Sequence, residues 1–436
     1  MDEQLIKGHQ ELVEHLKRVL GSEGFKERHR QNERAFSRQR CLTFCVVVLF
    51  LVNMVKRALQ DELDELFKSL QGGVVAERVV SKSAFSQARQ KLKHTAFIEL
   101  NQEQVGYYYQ HSAPLRWHGY RLLAFDGSMV TLPDKAAIAE HFGVWRPAAG
   151  GHCPKARVSQ MFDVLNRVTI EGVIAPKREG ERALAAQHGQ RLQADDLVLM
   201  DRGYPAFWLF ALILSRGGHF CARMSLSEWK VVADFVASGQ QETVLELQPP
   251  SQARRACQQR QLPLDPIRLR LIRLELDKGD VVVLATSLLD SDHFPYALFK
   301  ELYHQRWPVE EDYKQLKSRL QVENWTGLSV ESVYQDFHAA LFTKNFAAIL
   351  AQPVQQAVNQ TTTDRKHLSQ INQANLLSKL KDTIVHLFLF DQVASLLRAI
   401  GQQMLLTLEP IRRGRSFPRR KRVKPRRFSM TYKPLR

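Results

Sequence analysis

A chain of 436 residues, 44% hydrophobic and 25% charged, has the make-up of a globular protein of two to four domains, or of one large core with additions, rather than a fibrous or disordered one. Its 62 Lys and Arg against 45 Asp and Glu leave a net charge of +17, which favours a polyanionic partner, nucleic acid first. Five cysteines, at 41, 45, 153, 221 and 257, form no C-x-x-C pair, which excludes a secreted disulfide scaffold and suits reduced thiols in a cytoplasm.

Residues 1–112 read as helical. "DEQLIKGHQELVEHLKRVL" places apolar residues at helical spacing, as does "ALQDELDELFKSL". Between them "CLTFCVVVLFLVNMV", 41–55, is fifteen residues long and falls short of the roughly twenty that a membrane span needs, so it is expected to be a buried helix. It lies too far into the chain for an ordinary signal peptide, and a cytoplasmic protein with no membrane partner is expected. "SKSAFSQARQKLKHTAFIELNQEQ" follows, with Ser83 as the expected N-cap and Arg89, Lys91 and Lys93 in the next turns. Such a basic helical region either docks on DNA or serves as a packing or dimerisation bundle.

From residue 113 the pattern changes to short apolar runs alternating with helices, the sign of an α/β sheet covered by helices, over 113–224. "RLLAF", Asp126, Gly127 and "SMVTLPD" read as a hairpin. "ARVSQMFDVLNRVTIEGVI" holds one or two strands, "ERALAAQHGQRL" a helix, "DLVLM" a strand ending at Asp201, "PAFWLFALILSRG" a helix and "HFCARM" a strand. Residues 225–291 contain "ETVLELQPP", "PIRLRLIRLEL" and "DVVVLATSLL" with no helix expected between them, a β-rich insertion. Helices resume over 292–327 and again over 328–409, where "NQTTTDRKHLSQINQ" reads as a linker. The basic tail, 410–436, has twelve Lys or Arg and no acid from Arg412 on, leaving 17 − 12 = +5 for the rest. It reads either as a solubilising tail or as an arm that gains affinity for phosphates by counterion release, with Phe417, Phe428 and Tyr432 able to stack on bases.

Two acids, Asp126 and Asp201, stand directly at the ends of apolar strands, where ligands of open α/β sheets gather. A third lies in "YHQRWPVEEDYKQLK", 303–317. Pro308 suits the first position of a helix, which puts Glu310 in its first turn and Lys317 about two turns on, roughly 20° off the same face. Tyr303 and Arg306, three apart, are expected to share a face of the preceding helix. Three carboxylates from separate elements make a hard-oxygen site for Mg²⁺ or Mn²⁺. Two such ions about 3.5–4 Å apart drive in-line displacement at phosphorus. Arg306 suits a bidentate grip on phosphate, and Lys317 acts as a point charge. Taken alone, either Asp is more readily a turn residue or helix cap; the two together with a third acid, in a strongly basic chain, shift the reading toward a site.

The spacing Tyr303-(2)-Arg306-(3)-Glu310-(6)-Lys317 resembles the Y-(2)-R-(3)-E-(6)-K signature of the insertion-sequence-four family of bacterial DDE transposases. "FDGSMVTLPD" and "LVLMDRGYPAFWLF" resemble that family's two Asp motifs, and "SAFSQARQKL" and the basic tail extend the likeness over most of the chain. The resemblance implies an RNase H-like catalytic core with a β-rich insertion, flanked by helical regions. It implies Asp126, Asp201 and Glu310 as catalytic, metal-binding residues for two Mg²⁺ (or Mn²⁺) ions. Tyr303, Arg306 and Lys317 would hold DNA phosphates. The implied reaction is cut-and-paste transposition through hairpin ends. Its partners would be double-stranded DNA, at terminal inverted repeats and target, and a second copy in a dimeric synapse near the bacterial nucleoid. A catalytically inactive DNA-binding descendant and another RNase H-like nuclease are the alternatives. Asp163 and Asp134 are rival acids, Glu311 and Asp312 lack the seven-residue relation to Lys317, and Trp229 is the one Trp within 225–291 that could stack on a flipped base. Arg202 and Tyr204 either contact DNA or pack the turn, and Lys155 and Arg157 are either phosphate contacts or solvated charges.

Overall fold

A computed structural model describes residues 3–38, 40–145, 153–275, 280–361 and 367–411. The tail from Arg412 on, with Phe417, Phe428 and Tyr432, lies outside the described residues. Two compact units divide the chain. One draws on Met1–Ala113, Thr131–His141 and the chain from Lys314 onward, the other on Pro114–Val130 and Phe142–Tyr313.

The first unit is helical. It opens with α1 (Glu3–Gly21), α2 (Glu23–His29), α3 (Phe44–Val52), α4 (Leu59–Gln71), α5 (Lys82–Arg89) and α6 (Thr95–His111). Ile6, Leu12, Val13, Leu16 and Leu20 form the buried stripe of α1 that its spacing predicts. The apolar segment becomes α3, capped by Thr43, whose side chain accepts from the Val46 N–H at 3.2 Å. Nine residues rise about 13.5 Å, under half of a bilayer's hydrocarbon thickness. No helix among the described residues is long and apolar enough to cross a membrane.

Two local expectations are corrected here. Ser81, not Ser83, caps α5: its backbone is extended and its hydroxyl accepts from Ala84 N–H at 3.1 Å, while Ser83 lies inside the helix. Arg89 does not crowd a basic surface but is only 4% exposed. Its guanidinium donates to Gln335 Oε1 at 2.9 Å, Thr326 Oγ1 at 2.8 Å and Asp336 Oδ1 at 2.9 Å. Hydrogen-bonded pairing of this kind is what makes a buried charge tolerable.

The second unit holds β1 (Arg121–Thr131, its last residue counted with the first unit), β2 (Val144–Trp145), β3 (Cys153–Asp163), β4 (Val168–Pro176), β5 (Asp196–Met200), β6 (His219–Arg223), β7 (Glu242–Leu247), β8 (Ile267–Glu275) and β9 (Val281–Thr286). They form one mixed sheet in the order β2-β3-β1-β5-β6-β9-β8-β7, with β4 also paired to β3. Pairs β1–β5 and β5–β6 are parallel, while β3–β4, β6–β9, β8–β9 and β7–β8 are antiparallel. Ala136–Phe142 is α7, counted with the first unit but for its last residue; then come α8 (Glu181–His188), α9 (Phe207–Ser215), α10 (Lys230–Ala237), α11 (Ser251–Gln259), α12 (Leu298–His304) and α13 (Pro308–Lys314). The protein is therefore a mixed α/β molecule.

The hairpin read at Asp126-Gly127 is absent, because β1 runs straight through both residues. Gly127 is there for space, not for a turn. A Cβ on it would meet Glu181 Cγ and Tyr204 Oη, both at 3.3 Å. Residues 225–291 contain α10 and α11 as well as three strands, and β9 joins β6 directly, so this stretch widens the main sheet.

Beyond Lys314 the first unit resumes with a π-helical turn, Gln315–Arg319, and then α14 (Val330–Thr361), α15 (Gln373–Leu380), α16 (Thr383–Leu389) and α17 (Val393–Leu406). Part of the expected linker pairs instead as a short strand, Ser369–Ile371, with Leu408–Pro410.

Candidate active site

The registers of the parallel strands assemble the site. Pairing ends at Phe125↔Met200 between β1 and β5 and reaches Met200↔Ala222 between β5 and β6. The next residues, Asp126, Asp201 and Arg223, each follow directly on these last pairs of adjacent strands, where neighbouring backbones lie about 4.8 Å apart. Arg223 Nη1 lies 3.8 Å from Asp201 Oδ1. Sequence reasoning missed Arg223, although it ends "HFCA" as the acids end "LLAF" and "LVLM".

The third acid arrives from α12 and α13. Pro308 opens α13 as expected, and Glu310 occupies its first turn. Tyr303, on α12, donates from its hydroxyl to Asp201 Oδ1 at 3.2 Å. Arg306 lies past the end of α12, in the turn before Pro308, so the two do not share a helix face. Its Nη2 donates to Glu310 Oε1 at 2.8 Å. Tyr313 completes the frame by donating to the Asp126 carbonyl at 2.8 Å. No local pattern announces that contact, which spans 187 positions. Lys317 sits in the π-helical turn, where the α-helical arithmetic relating it to Glu310 no longer holds, and it belongs to the other unit.

The electrostatics tie these groups together. Burial raises the Asp126 carboxyl to about 6; the Gly127 N–H and Arg306 oppose the rise, while Glu310 and Asp201 add to it. Burial works against the charge of Arg306, but its bond to Glu310 and the fields of Tyr303, Asp201 and Asp126 outweigh it and hold the guanidinium more firmly protonated than usual. The Tyr303 phenol is pushed up by burial and then by Asp201, so it remains a donor. Arg306 Nε is buried and has no hydrogen-bond partner among the described residues.

Among the described residues no three acidic, His or Cys side chains already stand close enough to clasp one ion. Glu310 is drawn to Arg306, and Asp201 to Tyr303 and Arg223. The carboxylates nevertheless fit a divalent cation chemically. They are hard oxygen donors from three elements, and their mutual repulsion, legible in Asp126, is a charge excess that such a cation relieves.

The rival residues are placed elsewhere. Asp163, fully buried, accepts from the N–H groups of Leu165 and Asn166 at 3.1 and 3.0 Å and from Asn166 Nδ2 at 2.8 Å, fixing the turn from β3 to β4. Asp134 is exposed and lies in the first unit. Tyr204 is 2% exposed and packs the turn after Asp201, while Arg202 is exposed. Trp229, half-buried at the start of α10, stacks on Phe210 at 6.5 Å.

A family model described as Transposase DDE domain matches residues 117–346, more than half of the chain, and the chain belongs to that family of DNA-cleaving and strand-transferring enzymes. It is similar to the transposase InsG for insertion sequence element IS4 of Escherichia coli (strain K12), 24% identical over 352 residues that cover 79% of this chain and 77% of the relative. Among solved structures it resembles the piggyBac transposase synaptic complex with hairpin DNA, at 10% identity and a TM-score of 0.45, with 90% of this chain and 81% of that one covered.

Proposed function

We propose that this DNA transposase excises and inserts an insertion sequence by cut-and-paste, through hairpin ends, using Asp126, Asp201 and Glu310 as its catalytic carboxylates. The observation that carries the reading is that Asp126 and Asp201 both follow directly on the last β1–β5 pair, Phe125↔Met200, with Glu310 near enough to raise the Asp126 carboxyl. The order β4-β3-β1-β5-β6, with β1, β5 and β6 parallel, supports an RNase H-like core, and β7–β9 with α10 and α11 form its insertion.

The three carboxylates would hold divalent ions, two Mg²⁺ or Mn²⁺, which when bound activate the attacking oxygen and stabilise the leaving one. Tyr303 and Arg306 serve the phosphate. The phenol stays protonated and donates, and the guanidinium, whose Nε is unpartnered, presents a fork of donors beside the acids. Lys317, by the spacing of the motif, is proposed as a further phosphate contact. The substrate is double-stranded DNA at the terminal inverted repeats and then at the target, held by a homodimer in the bacterial cytoplasm.

An end-cleavage and joining assay on the inverted repeats flanking the reading frame tests this. Hairpin formation followed by joining to target DNA is the expected result. Hydrolysis without joining would mark a plain nuclease, and binding without cleavage an inactive descendant.

A further inference from the structure

We propose that β3 carries a second phosphate-binding row, Lys155 and Arg157, and that Glu181 holds Arg157 in reserve until DNA phosphate replaces it. This rests on the reading of the carboxylate site given above.

Along β3 the buried residues Pro154, Ala156 and Val158 alternate with the half-exposed Lys155 and Arg157. The two cations therefore share one open face, about 6.7 Å apart along the strand. Lys155 Nζ sits 3.9 Å above the ring of Trp145, which is 41% exposed, so the ammonium is ordered yet accessible. Arg157 Nη1 pairs with Glu181 Oε1, while its Nε is buried and has no hydrogen-bond partner among the described residues. A guanidinium with a donor to spare, held by a single acid, is poised for exchange. The Glu181 side chain is 43% exposed, and an ion pair so placed is weak enough for a phosphate to displace.

Position gives the pair its meaning. In the sheet, β3 neighbours β1 on the side away from β5. Glu181 lies against Gly127, directly after Asp126, and near Gly203, two residues after Asp201. The charges of Asp126, Glu181, Arg157 and Arg306 all act on the Tyr204 phenol, so Arg157 shares the electrostatic neighbourhood of the site. The Val164 N–H donates to the Leu122 carbonyl at 3.0 Å, a register that sets Gln160 opposite Asp126, so Arg157 stands three positions further along β3, toward Met129. A DNA strand that leaves the acids along β1 and β3 would meet these two cations, on the side of β1 that the Tyr303–Arg306 motif does not supply.

The test is equilibrium binding of a short random-sequence duplex to the full-length chain over a salt series, with chelator present. Arg157→Ala and Lys155→Ala should each weaken binding and lower the slope of log affinity against log salt by about one. Glu181→Gln should tighten binding roughly two- to fivefold, the strength of a surface ion pair, and the double variant Arg157→Ala/Glu181→Gln should bind like Arg157→Ala. Glu246→Gln, an exposed acid on β7, controls for net charge and should not tighten binding. An unchanged slope in Arg157→Ala, no tightening in Glu181→Gln, or equal tightening in Glu246→Gln overturns the proposal. The underlying reading fails separately, if Asp126→Ala still cleaves an element end.

Discussion

Asp126 is the most perturbed acid of the site, and its environment makes a signed prediction. Its carboxyl lies near 6 in the folded chain against an ordinary 3.8, so between these values the folded state binds more protons than the unfolded one. Without divalent ions, stability therefore falls as pH rises from about 4 to about 6. Asp126→Asn should raise unfolding stability at pH 7 by about 3 kcal/mol and by well under 1 kcal/mol at pH 4, as urea denaturation will measure. Next to it, Gly127→Ala forces a Cβ within 3.3 Å of Glu181 and Tyr204. The Glu181 contact is flexible and the buried ring is not, so a loss of about 1 kcal/mol is expected, together with weaker cleavage, since the displaced backbone carries Asp126. Both acids were legible because each ends an apolar run, and parallel register then brings such ends together. Arg223 was not, since nothing in "HFCAR" tells that this strand pairs beside the Asp201 strand.

At the scale of elements, helix starts and strand runs were readable where local chemistry decides them. Pro308 sets the start of α13, and "DLVLM" becomes a wholly buried β5. Where packing decides, local signals misled. Gly127 looked like a turn but marks close approach, and α10 and α11, eight and nine residues long, were masked by the alternating runs around them. Arg89 looked like a surface cation but ties α5 to Gln335 and Asp336 on α14. Its removal leaves the Asp336 carboxylate, 9% exposed, without its guanidinium. Arg89→Ala should cost about 3–5 kcal/mol in urea unfolding of the full chain. A loss below about 1 kcal/mol would show that the pair is not holding the two helices.

For the whole molecule, charge is the property that sequence alone states best: a net +17, of which the region from Arg412 supplies twelve. Deleting residues 412–436 should flatten the salt dependence of DNA binding by several units of slope while leaving the carboxylate chemistry intact on substrate bound at low salt. Tertiary assembly of the site was only partly legible, because Tyr313 and Arg223 reach it through pairings that no local pattern records. The central claim is that three acids from β1, the end of β5 and α13 act together on divalent ions. The most direct measurement is a calorimetric titration of Mn²⁺ into the full-length chain with duplex DNA bound, repeated for Asp126→Ala, Asp201→Ala and Glu310→Ala. The account predicts that each variant loses Mn²⁺ binding while keeping its DNA; wild-type Mn²⁺ affinity and stoichiometry in any of the three would contradict it.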